Sequence, residues 1–373
     1  MPTRRTCLAL LATLAAPHAS AQQARAPAQM RVETLARGLE NPWSLAFLPD
    51  GRMLVTERPG RLRLVSANGQ ISAPISGVPA VWAHGQGGLL DVALAKNFTQ
   101  TRLLFLSFAE GRDGGAATSV LRARLSDDAA TLETPTVIFR QQPAAPGPVH
   151  FGSRIVPTKD GTLYVTLGER GQMERAQEVS NHYGKVVLIR SDGSFPRENP
   201  FVGRRDLAMP EIWSYGHRNI QGAALHPATG QLWTVEHGAM GGDEINRPQA
   251  GKNYGWPAIS YGKDYSGAKL GMGTHGPGME QPLHYWDPSI APSGMMFYTG
   301  EAFPQWKGSL FVGALAGSLI ARLELEGDRI VREERLLTGS GHRYRDIRQG
   351  PDGLIYLLTD AANGQLLRLS PAK

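Results

Sequence analysis

Residues 47–56 read FLPDGRMLVT: an apolar residue, a turn centred on Asp-Gly, and a strand in which apolar residues alternate. The same unit returns as VPTKDGTLYVT at 156–166, LHPATGQLWTV at 225–235 and GPDGLIYLLT at 350–359. Two weaker copies lie in the gaps, from Leu94 to Phe108 and from Phe303 to Ala314. Six copies at spacings of about 45 to 75 residues are typical of an architecture that repeats one supersecondary unit.

The pattern within each copy predicts strands joined by turns, and helical periodicity is nearly absent. We therefore predict an all-β fold, a six-bladed β-propeller of four-stranded antiparallel blades, as one domain over residues 22–373. A pair of unrelated β-sandwiches is the alternative, but sandwiches lack a recurrent Asp-Gly turn. Irregular spacing predicts long loops, where function usually resides. The longest are at about 140–152, 166–186, 195–210 and 238–285.

The composition is that of an ordinary globular protein. Of the 373 residues, 41% are hydrophobic and 19% are charged, and the formal net charge is +6. Intrinsic disorder would need fewer apolar residues and a larger net charge. Because the basic residues form no run, the sequence argues against a nucleic-acid partner.

The first 21 residues are predicted to be a signal peptide. Arg4 and Arg5 precede the apolar run from Cys7 to Ala16, and Ala19-Ser20-Ala21 matches a small-residue cleavage site. The run is too short to span a membrane, and no later stretch qualifies. We expect export to the periplasm or the medium, by the Sec route or, given the paired arginines, the twin-arginine route. Since Cys7 is the only cysteine, the mature chain would have no thiol, which excludes a cysteine nucleophile and an iron–sulfur cluster.

His150 is a candidate general base. It ends a loop rich in proline and glycine, from Pro143 to Pro148, and directly precedes a predicted strand, so it would lie at the rim of a blade. Imidazole is the side chain best suited to accept a proton near neutral pH. The alternative is a histidine that is hydrogen-bonded to the loop backbone.

Two pairs of polar residues are candidate ligand-binding groups. Arg218 and Asn219 precede the strand of the third clear copy, and together they offer several hydrogen-bond donors to one polar ligand. Arg343 and Arg345 alternate just before the last copy, so their guanidinium groups would share one face and suit a ligand with several carboxylates. The alternatives are a structural arginine–carboxylate pair for the first and a solvated charged edge strand for the second.

Two glycine-rich segments, 236–246 and 251–257, indicate a cation site. Their exposed carbonyls, beside Asp243 and Glu244, would supply the all-oxygen ligand set that Ca²⁺ prefers, although EF-hand spacing is absent.

Taken together, these segments resemble the soluble PQQ-dependent sugar dehydrogenases of the glucose/sorbosone dehydrogenase family, most closely the bacterial aldose sugar dehydrogenase branch. The resemblance runs from about Val32 to Ser370. The motifs that carry it, in chain order, are NPWSLAF from Asn41, GQGGLLD from Gly85, HFGSR from His150, YGHRN from Tyr215, GGDEIN from Gly241 and RYRD from Arg343.

The resemblance implies a role for each matching residue. His150 corresponds to the catalytic base that removes the proton of the sugar C1 hydroxyl, and Arg218 lies near the reducible carbonyl of PQQ. Gln86, Asn219, Arg343 and Arg345, together with Arg218, correspond to PQQ-binding positions, and Tyr265 is expected to line the cofactor pocket. The carbonyls of Gly238 and Ala239 would hold the Ca²⁺ that coordinates PQQ. Glu244 and the Tyr254 carbonyl would hold a second Ca²⁺.

One departure affects cofactor binding. The family usually has a lysine that contacts PQQ in the loop after FVGAL, where this chain has Ala316-Gly317-Ser318. The resemblance implies oxidation of aldose sugars at C1 to lactones, with PQQ and Ca²⁺ as cofactors, an external electron acceptor as partner, and a monomer or homodimer. Two alternatives stay open: a Ca²⁺-dependent, lactonase-like hydrolase and a non-catalytic sugar-binding propeller.

Overall fold

Twenty-three strands form six antiparallel sheets in the computed structural model of the chain, which describes residues 30–204 and 207–372. The predicted signal peptide lies outside the described residues. The first three sheets are β2 Pro42–Phe47, β3 Met53–Glu57 and β4 Arg61–Val65; β5 Leu89–Leu94, β6 Leu103–Arg112, β7 Gly115–Leu125 and β8 Leu132–Arg140; and β9 Gly152–Pro157, β10 Thr162–Leu167, β11 Lys185–Arg190 and β12 Ile212–Tyr215. The other three are β13 Ile220–Leu225, β14 Leu232–Glu236, β15 Asp243–Asn246 and β16 His284–Trp286; β17 Pro292–Phe297, β18 Leu310–Ala314, β19 Ile320–Glu326 and β20 Arg329–Leu336; and β21 Tyr344–Gln349, β22 Ile355–Thr359 and β23 Gly364–Pro371 with β1 Met30–Leu39.

The sheets are arranged as the blades of a propeller, which confirms the predicted fold. The first strands of successive blades, β2, β5, β9, β13, β17 and β21, contact one another in a closed ring around the centre. The ring is closed because β1, from the beginning of the described chain, pairs with β23 at its end. Five blades have four strands, whereas the blade of β2 to β4 has three, extended by a single bridge between Val65 and Ile71.

Each sequence repeat corresponds to the first hairpin of a blade. In the four clear copies the turn is closed by the same kind of backbone hydrogen bond, such as Leu48 N to Arg52 O at 2.8 Å and Thr158 N to Thr162 O at 2.9 Å. Gly51 has φ +84°, a conformation that residues with a Cβ rarely adopt, which explains why glycine ends this turn. The weak copy at Leu94 differs because a four-residue helix, α1 Phe98–Thr101, replaces the tight turn.

Apolar residues pack between neighbouring blades, so each interface has a core of its own. One cluster joins the last blade to the first through Leu45, Val55, Leu358 and Leu366, all of which are at most 2% exposed. Besides α1, the only helical segments of the described residues are three 3₁₀ turns, at Met173–Gln177, Val202–Arg204 and Pro304–Trp306. Among the described residues, no helix reaches the length and apolarity that spanning a membrane requires.

Buried ion pairs block the centre of the ring. The Arg154 guanidinium, on β9, lies 3.1 Å from Asp91 Oδ1 on β5 and 3.0 Å from Asp346 Oδ1 on β21, and it is 2% exposed. Its Cζ is also 4.2 Å from the ring centroid of Trp43. Because paired and hydrogen-bonded charges are the ones that a protein interior tolerates, this cluster forms a polar plug and leaves a cavity above it.

Candidate functional site

A cavity of about 230 Å³ lies at one end of the ring, above the plug. Its floor includes Trp43, and its walls are residues in or just before the beginnings of first strands and residues that follow second strands of the blades. Gln86, Arg343 and Arg345 are predicted residues that line it. Phe151 and Gly152, from the HFGSR motif, and Gln221 and Leu315 also line it, whereas Arg58, His237 and Asp360 are lining residues that the sequence did not suggest.

The cavity carries an excess of positive charge. Three guanidinium groups, those of Arg58, Arg343 and Arg345, surround the carboxylate of Asp360. Arg345 Nη2 lies 2.7 Å from Asp360 Oδ2, whereas the nearest distances from Arg343 and Arg58 to this carboxylate are 3.9 Å and 4.0 Å. Burial alone would raise the pKa of Asp360, but the positive charges of Arg345, Arg58 and Arg343 outweigh it and lower the pKa. One carboxylate therefore faces three cations, and the cluster keeps a net positive charge.

Two unpaired donors of this cluster fit an anionic ligand. The Nε atoms of Arg58 and Arg345, and Oδ1 of Asp360, are buried without a hydrogen-bond partner in the described part of the chain. The pKa of Arg58 is lowered first by burial and then by the like charges of Arg345 and Arg343, against the attraction of Asp360. A ligand with carboxylates would relieve this repulsion and pair with the free donors.

Arg345 is not on a solvated edge strand. It lies on β21, an innermost strand, and its side chain is 9% exposed. Arg343 precedes that strand and is 51% exposed, and its Nη1 donates to the carbonyl of Leu315 at 3.4 Å. Both side chains face the cavity, as the alternate spacing predicted.

His150 lies beside this cavity and is held by a carboxylate. Its Nδ1 is 2.5 Å from Glu169 Oε2, and its backbone N–H donates to Gln86 Oε1 at 2.8 Å. Glu169, in the loop after β10, is buried, and its second oxygen, Oε1, has no hydrogen-bond partner within the described ranges. Because the hydrogen bond to Glu169 uses Nδ1, Nε2 remains to exchange a proton with a ligand.

Asn219 and Arg345 belong to one hydrogen-bonded chain. Arg345 Nη1 donates to Gln221 Oε1 at 3.0 Å, and Gln221 Nε2 donates to Asn219 Oδ1 at 3.2 Å. The same Asn219 oxygen accepts from the N–H of Gly152 at 3.1 Å. Asn219 therefore connects the arginine cluster to the segment that carries His150, although it does not line the cavity itself.

Arg218 is fixed from two sides, and its Nη1 donates to the carbonyl of His237 at 3.4 Å. Its backbone N–H donates to Glu236 Oε2 at 2.7 Å, and its Cζ lies 5.2 Å from the ring centroid of Trp256. It is 6% exposed, and its Nε has no hydrogen-bond partner among the described residues.

His237 shows that these charges act on one another. The pKa of His237 is lowered to about 3, first by burial and then by the charges of Arg218, Arg345 and His150. Its hydrogen bond to the Pro292 carbonyl opposes this shift. Its imidazole is therefore neutral, and Nε2–H donates to Pro292 O at 2.6 Å. His237 lines this central cavity and also a second cavity beside it, so it lies in the wall between the two.

The second cavity, of about 520 Å³, contains other predicted residues. Gly238, Ala239, Tyr265 and Ala316 line it, and it shares His237 and Ala291 with the central cavity. Tyr265 is 71% exposed, so it is at the mouth of this second cavity and does not line the central one.

The Asp243 side chain, which lies beside the predicted carbonyl ligands, is occupied by hydrogen bonds within the protein. Its oxygens accept from the N–H groups of Gly238, Ile290 and Ala291 at 2.8 to 3.0 Å, and from the Ser289 hydroxyl at 2.7 Å. It thus holds the turn that carries the Gly238 and Ala239 carbonyls against the start of β17.

Glu244 lies in a buried network that would favour a cation. Asn246 Nδ2 donates to Glu244 Oε2 at 3.1 Å and to Glu236 Oε1 at 3.0 Å, so one amide serves two carboxylates. Burial and the charge of Glu236 raise the pKa of Glu244 to about 8. Glu236 also accepts from His217 Nδ1 at 2.9 Å, and the His217 ring stacks on that of Tyr254 at 4.8 Å.

Side-chain clustering alone would not identify either expected cation site. Across residues 30–204 and 207–372, no group of three or more His, Cys, Asp or Glu side chains is placed to hold a metal.

Comparisons with known proteins identify sugar dehydrogenases as relatives of this chain. The chain is similar to the aldose sugar dehydrogenase YliI of Escherichia coli strain K12, with 49% identity over 350 residues that cover 93% of this chain and 94% of the relative. It is also similar to two solved structures. The apo form of the soluble aldose sugar dehydrogenase of Escherichia coli has 47% identity and a TM-score of 0.90, over 92% of this chain and 100% of that one. The PQQ-bound aldose sugar dehydrogenase of Streptomyces coelicolor has 28% identity and a TM-score of 0.76, over 92% and 99%.

The family is shown by the match of residues 39–368 to the family model described as Glucose / Sorbosone dehydrogenase. With the six-bladed fold and the relatives above, this match places the chain in the glucose/sorbosone dehydrogenase family.

Proposed function

We propose that this chain is a PQQ- and Ca²⁺-dependent dehydrogenase that oxidises aldose sugars at C1 to lactones and passes the electrons to an external acceptor. The observation that carries the proposal is the cavity in which three guanidinium groups meet one carboxylate beside the His150–Glu169 pair. Support for the cofactor comes from the PQQ-bound relative of Streptomyces coelicolor, and support for the substrate from the relatives named aldose sugar dehydrogenase.

The residues present fit PQQ, which is a planar o-quinone with three carboxylates. Arg58, Arg343 and Arg345 would pair with carboxylates, because Arg58 and Arg345 each have an unpaired Nε–H and the three like charges repel one another. Gln86 would offer its amide Nε2, since its Oε1 already accepts from His150. Arg218 and Asn219 do not line the cavity among the described residues: Asn219 would act through Gln221, which lines the cavity and donates to Asn219 Oδ1, and Arg218 would act from beside the His237 backbone.

When bound, PQQ supplies the two-electron acceptor, taking a hydride from the sugar carbon at its C5 carbonyl. His150 would accept the proton of the C1 hydroxyl at Nε2, because Nδ1 donates to Glu169. The carboxylate keeps the imidazole in this tautomer and stabilises the imidazolium that forms. Arg218 would stabilise the negative charge that develops beside it, and its burial strengthens this interaction.

Two Ca²⁺ sites belong to the proposal. The Gly238 and Ala239 carbonyls, on the turn held by Asp243, would hold one ion next to the cofactor. Glu244 and the Tyr254 carbonyl would hold the other, where the mutual repulsion of Glu244 and Glu236 favours a cation.

The proposal is tested by adding PQQ and Ca²⁺ to apoprotein and then an aldose, while the visible absorption of the cofactor is followed. We expect an absorption change on PQQ binding and a second one on addition of sugar. His150→Ala should keep the first change and lower the rate of the second by about 10²- to 10⁴-fold. A lactonase would hydrolyse its substrate without PQQ, and a sugar-binding module would show no reduction, so either result would contradict the proposal.

A further inference from the structure

Arg170, which the proposed reaction does not use, is a buried guanidinium without a carboxylate partner. The residue is 1% exposed, and no Asp or Glu of the described chain is within ion-pair distance of it. Burial lowers its pKa to about 10, although the charge of Glu169 opposes the shift. Because a buried charge without a counter-ion is costly, the contacts that retain it should matter.

All of its side-chain hydrogen bonds go to backbone carbonyls, and the two shorter ones go to the segment just before His150. The two terminal nitrogens donate to Val149 O and, at 2.7 Å, to Gly147 O, with a longer contact to Ala116 O at 3.4 Å. The Cζ atom lies 3.5 Å from the ring centroid of Phe151. Arg170 therefore holds the residues on both sides of His150, while the preceding residue, Glu169, holds the imidazole.

The loop needs an external donor because it has fewer N–H groups than carbonyls. Residues 143, 146 and 148 are proline, which has no N–H, so the loop cannot satisfy its carbonyls by internal pairing. The backbone at His150 has φ +56°, an uncommon conformation for a residue with a side chain, which requires support from its surroundings. The segment that carries Glu169 and Arg170 approaches His150 closely at Gly168. A Cβ at residue 168 would lie 2.0 Å from His150 O, so only glycine allows this approach.

We propose that Arg170 is a positioning residue: it holds residues 147–151 so that His150 meets Glu169 beside the cavity. The inference rests on the proposed role of His150 as the base. A planar guanidinium suits this task because it reaches several carbonyls at once while one face packs on Phe151. A lysine would keep the charge and lose this geometry.

The test uses Arg170→Met and Arg170→Lys in the PQQ- and Ca²⁺-loaded protein, with Arg175→Met as the matched control. Arg175 also lies over an aromatic ring, Tyr183 at 4.8 Å, but it pairs with Glu178 and does not contact the His150 loop. We expect both Arg170 variants to lower kcat by about 10²-fold, the usual cost of misplacing a catalytic group by about 1 Å. KM for the sugar and the Kd for PQQ should stay within about threefold of wild type, and Arg175→Met should leave kcat unchanged.

Two readouts separate positioning from a general loss of structure. In the apoprotein, amide hydrogen exchange should accelerate at residues 149–153 in Arg170→Met and stay unchanged in the other blades. Arg170→Gly, which suits the backbone φ of +57° at this position, should regain part of its kcat when millimolar guanidinium is added. Unchanged exchange at 149–153, or kcat within twofold of wild type in Arg170→Met, would overturn the inference. If His150→Ala kept full activity, the proposed function would fail instead, while the exchange result would still report on the loop.

Discussion

The Nδ1 atom of His150 and the Oε2 atom of Glu169 lie 2.5 Å apart, and the Glu169 side chain is 1% exposed. Oε2 also accepts from the N–H of Gly171 at 3.1 Å, which fixes the carboxylate in place. A buried carboxylate on one imidazole nitrogen determines which nitrogen can act as the base.

Glu169→Gln should therefore lower kcat by about 10²-fold, because the amide keeps the shape of the side chain and loses the charge that stabilises the imidazolium. The Kd for PQQ should change little, since Glu169 does not line the cavity. Steady-state dye reduction and PQQ titration of the apoprotein measure the two effects. Glu178→Gln, which changes a half-exposed carboxylate in the same loop, is the control. Turnover within twofold of wild type would remove Glu169 from this role.

Changing both Arg343 and Arg345 to Ala should weaken PQQ binding much more than it raises KM for the sugar. Both face the cavity, and Arg345 is the closest cation to Asp360. Arg58→Met should act in the same direction, because Arg58 is the third cation in this wall. Arg52→Ala, at a hairpin turn, removes an arginine that pairs only with Asp50 and should bind PQQ like wild type. An unchanged Kd in the double variant would separate these arginines from the cofactor.

The fold could be predicted from sequence because each blade repeats one hairpin. The turn after Phe47 and the turn after Val156 have the same closing hydrogen bond in the structure, so a local pattern was sufficient. The closure of the ring by β1 and β23 involves residues more than 300 positions apart and leaves no local pattern.

The site was only partly predictable from the sequence. Arg343 and Arg345 were found because their alternation shows in the sequence itself. Arg58, Glu169 and Asp360 were missed, although each comes within three residues after the last threonine of its repeat, at Thr56, Thr166 and Thr359. These threonines end or nearly end second strands that all point to the same end of the propeller. Alignment of the repeats beyond the strand would have placed Arg58 and Asp360 in the cavity wall and Glu169 at the same end of the propeller.

Lys185 should make stability depend on pH above neutrality. Burial lowers its pKa from 10.5 to about 7, and its Nζ donates to the Ala176 carbonyl at 3.0 Å. Between these two pH values the unfolded chain binds a proton that the folded chain does not, so the free energy of unfolding should rise with pH. The rise is at most about 1.4 kcal/mol per pH unit. Denaturant unfolding at pH 7 and pH 9 should show a smaller rise for Lys185→Met than for wild type, and equal rises would contradict this account.

Glu244→Gln should reduce the number of bound Ca²⁺ ions from two to one. The substitution removes the charged oxygen ligand of the second proposed site and leaves the Gly238 and Ala239 carbonyls untouched. Calorimetric titration of Ca²⁺ into chelator-treated protein gives the stoichiometry, and the Ca²⁺-dependent rise in Tm should be smaller in the variant. Glu280→Gln, at a carboxylate that pairs with Lys252, should behave like wild type. Two ions in Glu244→Gln would show that the second site lies elsewhere.

Ala316→Lys should tighten PQQ binding, because this position lacks the lysine that the family usually has. Ala316 is exposed at the second cavity, so a longer side chain has room. A charge-assisted hydrogen bond is worth roughly 1.5 to 3 kcal/mol, which corresponds to about a ten- to hundredfold lower Kd.

However, Arg343 donates to the carbonyl of the preceding residue, Leu315, and already places a cation nearby. The gain from Ala316→Lys should therefore be smaller in wild type than in an Arg343→Ala background. Titration of the four apoproteins with PQQ at fixed Ca²⁺ completes the cycle. Equal gains in both backgrounds would show that Arg343 does not replace the lysine, and no gain in either would show that residue 316 does not face the cofactor.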